Sequence, residues 1–400
     1  MNSIFSNLKG DKAIWATTGM LALFSFIPVY SASSNIAYLY GDGSTFGYLI
    51  VHFFHLLLGF CLLFAIHKIP YNYFKGLSVL MLPIVIVLLI YTITQGSSID
   101  GTNNSRWIQI PVVGVTFQSS TLASVVLMIY VARYLTRISQ KTVTFKETIL
   151  PLWMPVFLVL ILILPANFST TAIIFTMVII LVFLGGYPLK YIGIVLSAGL
   201  LVLTLFVLTA KAFPGLLPNR VDTWTNRIVN FSNDKDTEAD YQIEKAKIAI
   251  ARGGITGTGI GKSVQRNFLP QSSSDFIYAI IVEEMGLIGA FGVMSAYLML
   301  LFRIVIVATK ANTVFGTLVV VGVGLPIVFQ ALVNMGVAVE LFPVTGQTLP
   351  LISSGGTSIW MTCMALGIVL SVSSKREEQK LSEDKEHNEE NPLDFLSEAI

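Results

Sequence analysis

The segment Asn267 to Gly286, NFLPQSSSDFIYAIIVEEMG, is where a long polar excursion meets an apolar run. Upstream of it residues 211–274 are mixed and charged, whereas most of the remaining chain falls into apolar runs of about 20 residues, the length that crosses a bilayer. One carboxylate, Asp275, stands at that junction. Three serines, then Asp, then an apolar run is the pattern of a helix N-cap. An ionisable group at the edge of hydrocarbon is equally a chemical tool, and both readings stay open here. Beyond it, Glu283 and Glu284 fall inside the same apolar run, where a carboxylate is costly unless it faces a partner or a water-filled cavity. On a regular helix Glu283 lies roughly 80° around and about 12 Å below Asp275, while Glu284 points to the opposite side, so only Glu283 shares a cavity with Asp275.

Composition agrees with a membrane class. The chain is 54% hydrophobic and 12% charged, with mean hydropathy +0.75. A soluble domain carries roughly 25% charged residues. A net charge of +2 is too small to point to nucleic acid. Cys61 and Cys363 each fall within an apolar run, which leaves no disulfide framework and no Cys/His metal pattern.

The runs predict an all-α polytopic membrane protein of about ten spans, near 14–31, 46–66, 77–95, 119–136, 149–165, 169–185, 191–210, 276–302, 312–337 and 354–373. One set of span ends collects Lys9, Lys12, Lys68, Lys75, Arg133, Arg137, Lys141, Lys146, Lys190, Arg303, Lys310, Lys375 and Arg376, while the opposite short loops hold only Arg106. The basic side is cytoplasmic by the positive-inside rule, so both termini are expected there. The large loop 211–274, between spans seven and eight, then faces outward with Asp275 at its end. A membrane domain over 1–374 is followed by an acidic, aromatic-poor tail, 375–400, expected to be disordered. His52 and His55, near the outer end of the second span, read as structural, and Gly286 with Ala290 reads as helix packing.

Three outer segments carry chemistry. GGITGTGIGKS, Gly253 to Ser263, resembles a phosphate loop but has Thr256 where that motif needs glycine. Its five glycines instead allow close backbone approach and present N–H groups to an anion, with Arg252, Lys262 and Arg266 nearby to neutralise phosphate; a flexible loop without ligand is the alternative. In GTNNSRWIQIPVVGVTFQ, Gly101 to Gln118, Arg106 beside Trp107 either anchors a helix end or holds an anionic headgroup. NMGVAVELFPVTGQTLPLISSGGTS, Asn334 to Ser358, has two prolines, four glycines and a run of hydroxyls at membrane depth. Such backbone is tolerated only where it is buried or lines a cavity, so this segment is expected to form the second wall of the same site, with Glu340 as a weaker acid.

YQIEKAKIAIARGGITGTGIGKSVQ, LPQSSSDFIYAIIVEEMGLIG and LFPVTGQTLPLISSGGTS, in that order, resemble the signatures of the SEDS proteins, the FtsW and RodA type peptidoglycan glycosyltransferases. The resemblance covers about residues 10 to 374, and SVQ at Ser263 to Gln265 is more like the FtsW type. It implies that Asp275 is the essential loop aspartate, acting as general base on lipid II, a disaccharide pentapeptide carried on a polyprenyl diphosphate. It also implies a site in which Arg106, Arg252, Lys262, Arg266, Glu283, Gly355 and Gly356 contact substrate, and a divalent cation, Mg2+ or Mn2+. The implied partners are a class B penicillin-binding transpeptidase and other divisome proteins, at the division septum of a bacterial cytoplasmic membrane. Four stretches depart from the family pattern: FQSST in place of FQPSE, with Ser124 for a Lys; ANFST (Ala166 to Thr170) in place of PDLGT; Ser273 for a His; and Ser354 for a Tyr. The rival expectations are an elongation-type polymerase and a flippase built around Glu283, with a pure division scaffold as a third.

Overall fold

Residues 8–39, 45–95, 107–109, 116–212, 238–269 and 272–389 are described by the computed structural model of the chain. Long apolar runs must satisfy their backbone internally in lipid, and the helix does so within one segment. The helices are α1 (Lys12–Leu39), α2 (Thr45–His67), α3 (Tyr73–Gln95), α4 (Ser119–Ile138), α5 (Phe145–Ile163), α6 (Phe168–Leu184), α7 (Leu189–Ala212), α8 (Glu238–Gly253), α9 (Ile277–Thr309), α10 (Val314–Ala338) and α11 (Gly356–Glu389). Among the described residues, eight are long and apolar enough to cross a membrane: α1 to α5 and α9 to α11. Two shorter apolar helices, α6 and the first part of α7 (Leu189–Leu201), stand where the sequence places spans six and seven. The chain is a multi-pass membrane protein.

Proline and polar caps shape several helices. α5 passes through a π turn at Ile149–Trp153, where Pro151 has no N–H to give the helical ladder. Asn167 caps α6 by accepting from the Thr170 amide, and Thr313 caps α10 by accepting from that of Gly316. At the same basic end as Thr313, Asp11 caps α1, accepting from the amides of Ala13 and Ile14, and takes both Nε and Nη2 of Arg303 from α9. That bidentate pair ties the start of the first span to α9.

α10 runs through the interior, packed against α4, α6, α9 and α11, while α11 lies along α2. Small residues permit that last approach: a Cβ on Gly59 would stand 3.0 Å from Cys363 Sγ, and one on Gly356 2.8 Å from the His55 ring. The outer faces carry Phe54, Leu80, Val87, Leu200, Ile288 and Phe302, all exposed, which matches a hydrocarbon solvent and not water. A two-residue ladder, β1 (Ile108–Gln109) against β2 (Thr116–Phe117), pairs Ile108 with Phe117 and Gln109 with Thr116 in the outer loop before α4.

Two boundaries differ from the sequence reading. α11 continues to Glu389, so the tail expected to be disordered from residue 375 is helical for its first part. Its Glu, Gln, Lys and Leu are strong helix formers and extend a helix already nucleated by the buried span. α9 holds 33 residues, about 50 Å, more than a bilayer core requires, because it is two helices joined at a break.

Candidate functional site at the outer end of α9

Asp275 lies in the turn Ser272–Phe276 that leads into α9, partly exposed. The N-cap position belongs to Phe276, which has no side-chain cap bond, so Asp275 stands one residue outside the cap. Three consecutive carbonyls of this turn are held from one side. Ser273 O accepts the Ser354 amide at 2.9 Å, Ser274 O the Ser353 hydroxyl at 2.6 Å, and Asp275 O the Asn334 Nδ2 at 2.7 Å.

The donors come from the segment between α10 and α11 and from α10 itself, as expected of the second wall. Asn334 also donates to Gln347 O, Gln347 reaches the Thr170 hydroxyl on α6, and Gln330 donates to Thr348 O. Thr348 and Ser358 exchange a hydroxyl bond, and the Tyr297 hydroxyl of α9 donates to Pro350 O. Next to Pro350, buried Leu351 has φ +67°, the left-handed region that an L side chain adopts only when its surroundings impose it. A polar bracket of hydroxyls and carboxamides thus surrounds the backbone of Asp275 at the start of α9.

Eight residues on, the same chain does something different with its acids. Gly286 has φ 66° and ψ −163°, a conformation essentially restricted to glycine, and it breaks α9. In an unbroken helix Leu287 and Ile288 would donate to Glu283 and Glu284. Here Leu287 N donates to Gly254 O at 2.9 Å and Ile288 N to Ile255 O at 3.3 Å. The carbonyls so released are taken by Thr258 N (2.9 Å, to Glu283 O) and Gly259 N (3.0 Å, to Glu284 O). The glycine loop replaces the missing turn bond for bond. It lies so close that a Cβ on Gly253 would meet Val282 O at 2.0 Å, one on Gly257 Glu284 O at 2.1 Å, and one on Gly286 Ile255 O at 2.3 Å. Gly286 is therefore a docking point for this loop, not the helix-packing residue that its spacing to Ala290 suggests.

The amides of residues 263–265, where the loop ends, meet the two glutamates. Glu283, fully buried, accepts from the Ser263 hydroxyl and from the amides of Val264 (3.0 Å) and Gln265 (3.2 Å). Glu284, 2% exposed, accepts from the Ser31 hydroxyl of α1 and the Ser263 amide (3.1 Å). Arg252 Nη1 stands 3.9 Å from Glu283, and Arg266 Nη1 donates to Ser31 O at 3.2 Å and Ser31 Oγ at 2.9 Å. Two carboxylates and two guanidiniums form one chain of contacts that fastens the loop to α1 and α9. The N–H groups present an anion site, as the glycine pattern suggests, but the anions are the protein's own. Glu284 does not point away from this cluster; the wrapping loop reaches it as well as Glu283.

The other expected site residues are dispersed. Lys262 is exposed on the loop. Gly355 N donates to Ser353 O beside the Asp275 turn, and Gly356 opens α11 against His55. Glu340, at φ 61°, pairs on the surface with Lys247 of α8. His52 is buried and bonded to Ser25 at 2.7 Å, as a structural histidine. Arg106 lies outside the described residues. Among the described residues no three His, Cys, Asp or Glu side chains converge on a point, so they build no protein cage for Mg2+ or Mn2+. Asn334, Gln347 and Ser353 lie inside the expected second wall, but motif reading does not single them out, and it gives Thr170 no part in holding that wall. The signal for one was present: Gln330 and Asn334, two carboxamides at i and i+4, share one face of an apolar span.

The family model described as cell cycle protein, of FtsW, RodA and SpoVE, matches residues 11–378. The chain belongs to that family. Two relatives are named probable peptidoglycan glycosyltransferase FtsW. The one from Nitrosomonas europaea is 31% identical over 370 residues, covering 90% of this chain and 92% of that protein. The one from Geobacter sulfurreducens is 32% identical over 370 residues, covering 91% and 95%. Among solved structures, a chain from work on structural coordination of polymerization and crosslinking by a peptidoglycan synthase complex superposes with TM-score 0.70 at 24% identity, covering 92% of this chain and 98% of that one. The rod shape determining protein RodA of Thermus thermophilus superposes with TM-score 0.65 at 23% identity, covering 92% and 97%. These two likenesses establish a shared fold.

Proposed function

We propose that the chain is a peptidoglycan glycosyltransferase that polymerises lipid II into glycan strands at the outer face of a bacterial cytoplasmic membrane. The observation that carries this reading is the position of Asp275: partly exposed in the turn that leads into α9, its backbone gripped by α10 and the α10–α11 segment, in a chain of the FtsW, RodA and SpoVE family.

Asp275 acts as general base. It takes the proton of the acceptor sugar's 4-hydroxyl, whose oxygen forms a bond to the anomeric carbon of the donor. The bond from that carbon to the diphosphate oxygen breaks, with inversion, and polyprenyl diphosphate departs with the electron pair. The leaving group is already a stable anion, so it needs neighbouring positive charge more than a proton donor. Arg106 and Lys262 supply that charge, because Arg252 and Arg266 are engaged with Glu283 and Ser31. A divalent cation, when bound, would supply further charge neutralisation for the departing diphosphate. The hydroxyls of Thr348, Ser354 and Ser358 and the backbone at Gly355 and Gly356 line the path to the sugars.

A role in division, at the septum, is in keeping with the family description, cell cycle protein, and the bias of lysine and arginine to one set of span ends is the support for both termini in the cytoplasm. Cross-linking falls to a class B penicillin-binding transpeptidase partner among other divisome proteins. The flippase alternative rests on Glu283 as a buried relay acid, and three donors from residues 263–265 hold that carboxylate in place.

Purified protein with its transpeptidase partner, given lipid II in detergent, tests the reading. Glycan strands from the parent and none from folded Asp275→Ala support it. Lipid translocation across vesicles without polymer would overturn it.

A further inference from the structure

We propose that Asn334 is a positioning residue for glycosyl transfer, acting through Asp275; this rests on the reading of Asp275 as the base. Asn334 is 1% exposed, one turn beyond Gln330 in an otherwise apolar stretch of α10. Both hydrogens of its carboxamide are committed, one to Asp275 O and one to Gln347 O, each at 2.7 Å. Its Oδ1 is buried with no hydrogen-bonding partner among the described residues. The group is therefore oriented by its two N–H bonds alone, and it bridges two segments that lie far apart in the chain.

The neighbouring carbonyls of Ser273 and Ser274 are held by Ser354 and Ser353. Asn334 holds the carbonyl of the residue that bears the acid. A general base must stand within hydrogen-bond reach of the proton it removes. A misplacement of about 1 Å costs roughly 10²-fold in rate. Loss of Asn334 frees the carbonyls of Asp275 and Gln347 but removes no side chain assigned to contact the lipid or the sugars. The effect belongs in kcat and not in KM.

The experiment compares lipid II polymerisation by the intact protein with its transpeptidase partner for the parent, Asn334→Ala, Asn334→Asp, Asp275→Glu and the double variant Asp275→Glu/Asn334→Ala, with rates normalised to folded protein. Asn334→Ala lowers kcat by about 10- to 100-fold with KM within about 2-fold. In the Asp275→Glu background, where the carboxylate is already displaced, the same change costs less than about 3-fold, because the two residues act as one unit. Asn334→Asp is nearly isosteric, but its ionised form donates to neither carbonyl and its protonated form to one. Its rate relative to the parent therefore rises as pH falls. If Asn334→Ala does not accumulate, Asn334→Ser carries the same comparison.

A change in KM with kcat intact, an equal factor in both backgrounds, or activity lost only in proportion to folded protein would each overturn the role of Asn334. Full activity of Asp275→Ala would instead overturn the reading of the base, whatever Asn334 does.

Discussion

The two ends of one short helix use the same chemistry for opposite purposes. At its start Asp275 is partly exposed, and the protein grips the backbone around it. At its end Glu283 and Glu284 are buried, and the protein grips the carboxylates themselves, through Ser263, the amides of residues 263–265 and Ser31. A buried carboxylate with several fixed donors is a fastening: its oxygens are occupied by those donors and have no room to meet a substrate. An acid at a water-facing mouth on a fixed backbone is suited to accept a proton and give it up again. The helix break at Gly286 makes the second arrangement possible, because the glycine loop that repairs it also delivers donors for the glutamates.

That contrast can be strained from the structural side first. Gly286→Ala adds a Cβ 2.3 Å from Ile255 O at a backbone conformation closed to alanine, and is expected to cost roughly 3 kcal/mol or more, read as a large fall in melting temperature in detergent. Glu283→Gln confronts two amide donors with an NH2 and gives up a charge-assisted set, for a loss of about 2–3 kcal/mol on the same measurement. Ser353→Ala removes one hydroxyl that both donates to Ser274 O and accepts from Leu349 N, and is expected to cost about 1–2 kcal/mol. Lys247→Ala breaks the Glu340 pair, in which both side chains are well exposed and screened, and should shift stability by less than about 1 kcal/mol. An Asn334→Ala enzyme that is stable but slow would place α10 on the chemical side of the division.

How much was readable in advance follows the same line. The spans were, because a bilayer demands a fixed length of apolar residues whatever the tertiary packing. Asp275 was, because a carboxylate where polar loop gives way to hydrocarbon is visible locally. So was the second wall, since prolines, glycines and hydroxyls at membrane depth cannot face lipid. The role of the glycine loop was not. Whether its amides meet a foreign anion or Glu283 depends on a contact between residues 253–265 and 282–288 that no local pattern states. Two glutamates in an apolar run need donors, and the adjacent loop is rich in unencumbered amides; pairing those two facts would have found the clasp. Gly286 misled for a related reason. Its spacing to Ala290 resembles helix packing, and only the positive φ distinguishes a break from a contact.

The most direct measurement is the polymerisation rate per folded molecule of Asp275→Asn beside that of Glu283→Gln, with melting temperatures taken on the same samples. Asp275→Asn should lose about 10³-fold or more in rate per folded molecule, out of proportion to any change in its melting temperature. Glu283→Gln should melt lower and stay within about 10-fold of the parent in rate. An Asp275→Asn protein that polymerises at the parent rate, or a Glu283→Gln protein that keeps its stability and loses all activity, would contradict the assignment of chemistry to the outer acid and architecture to the inner pair.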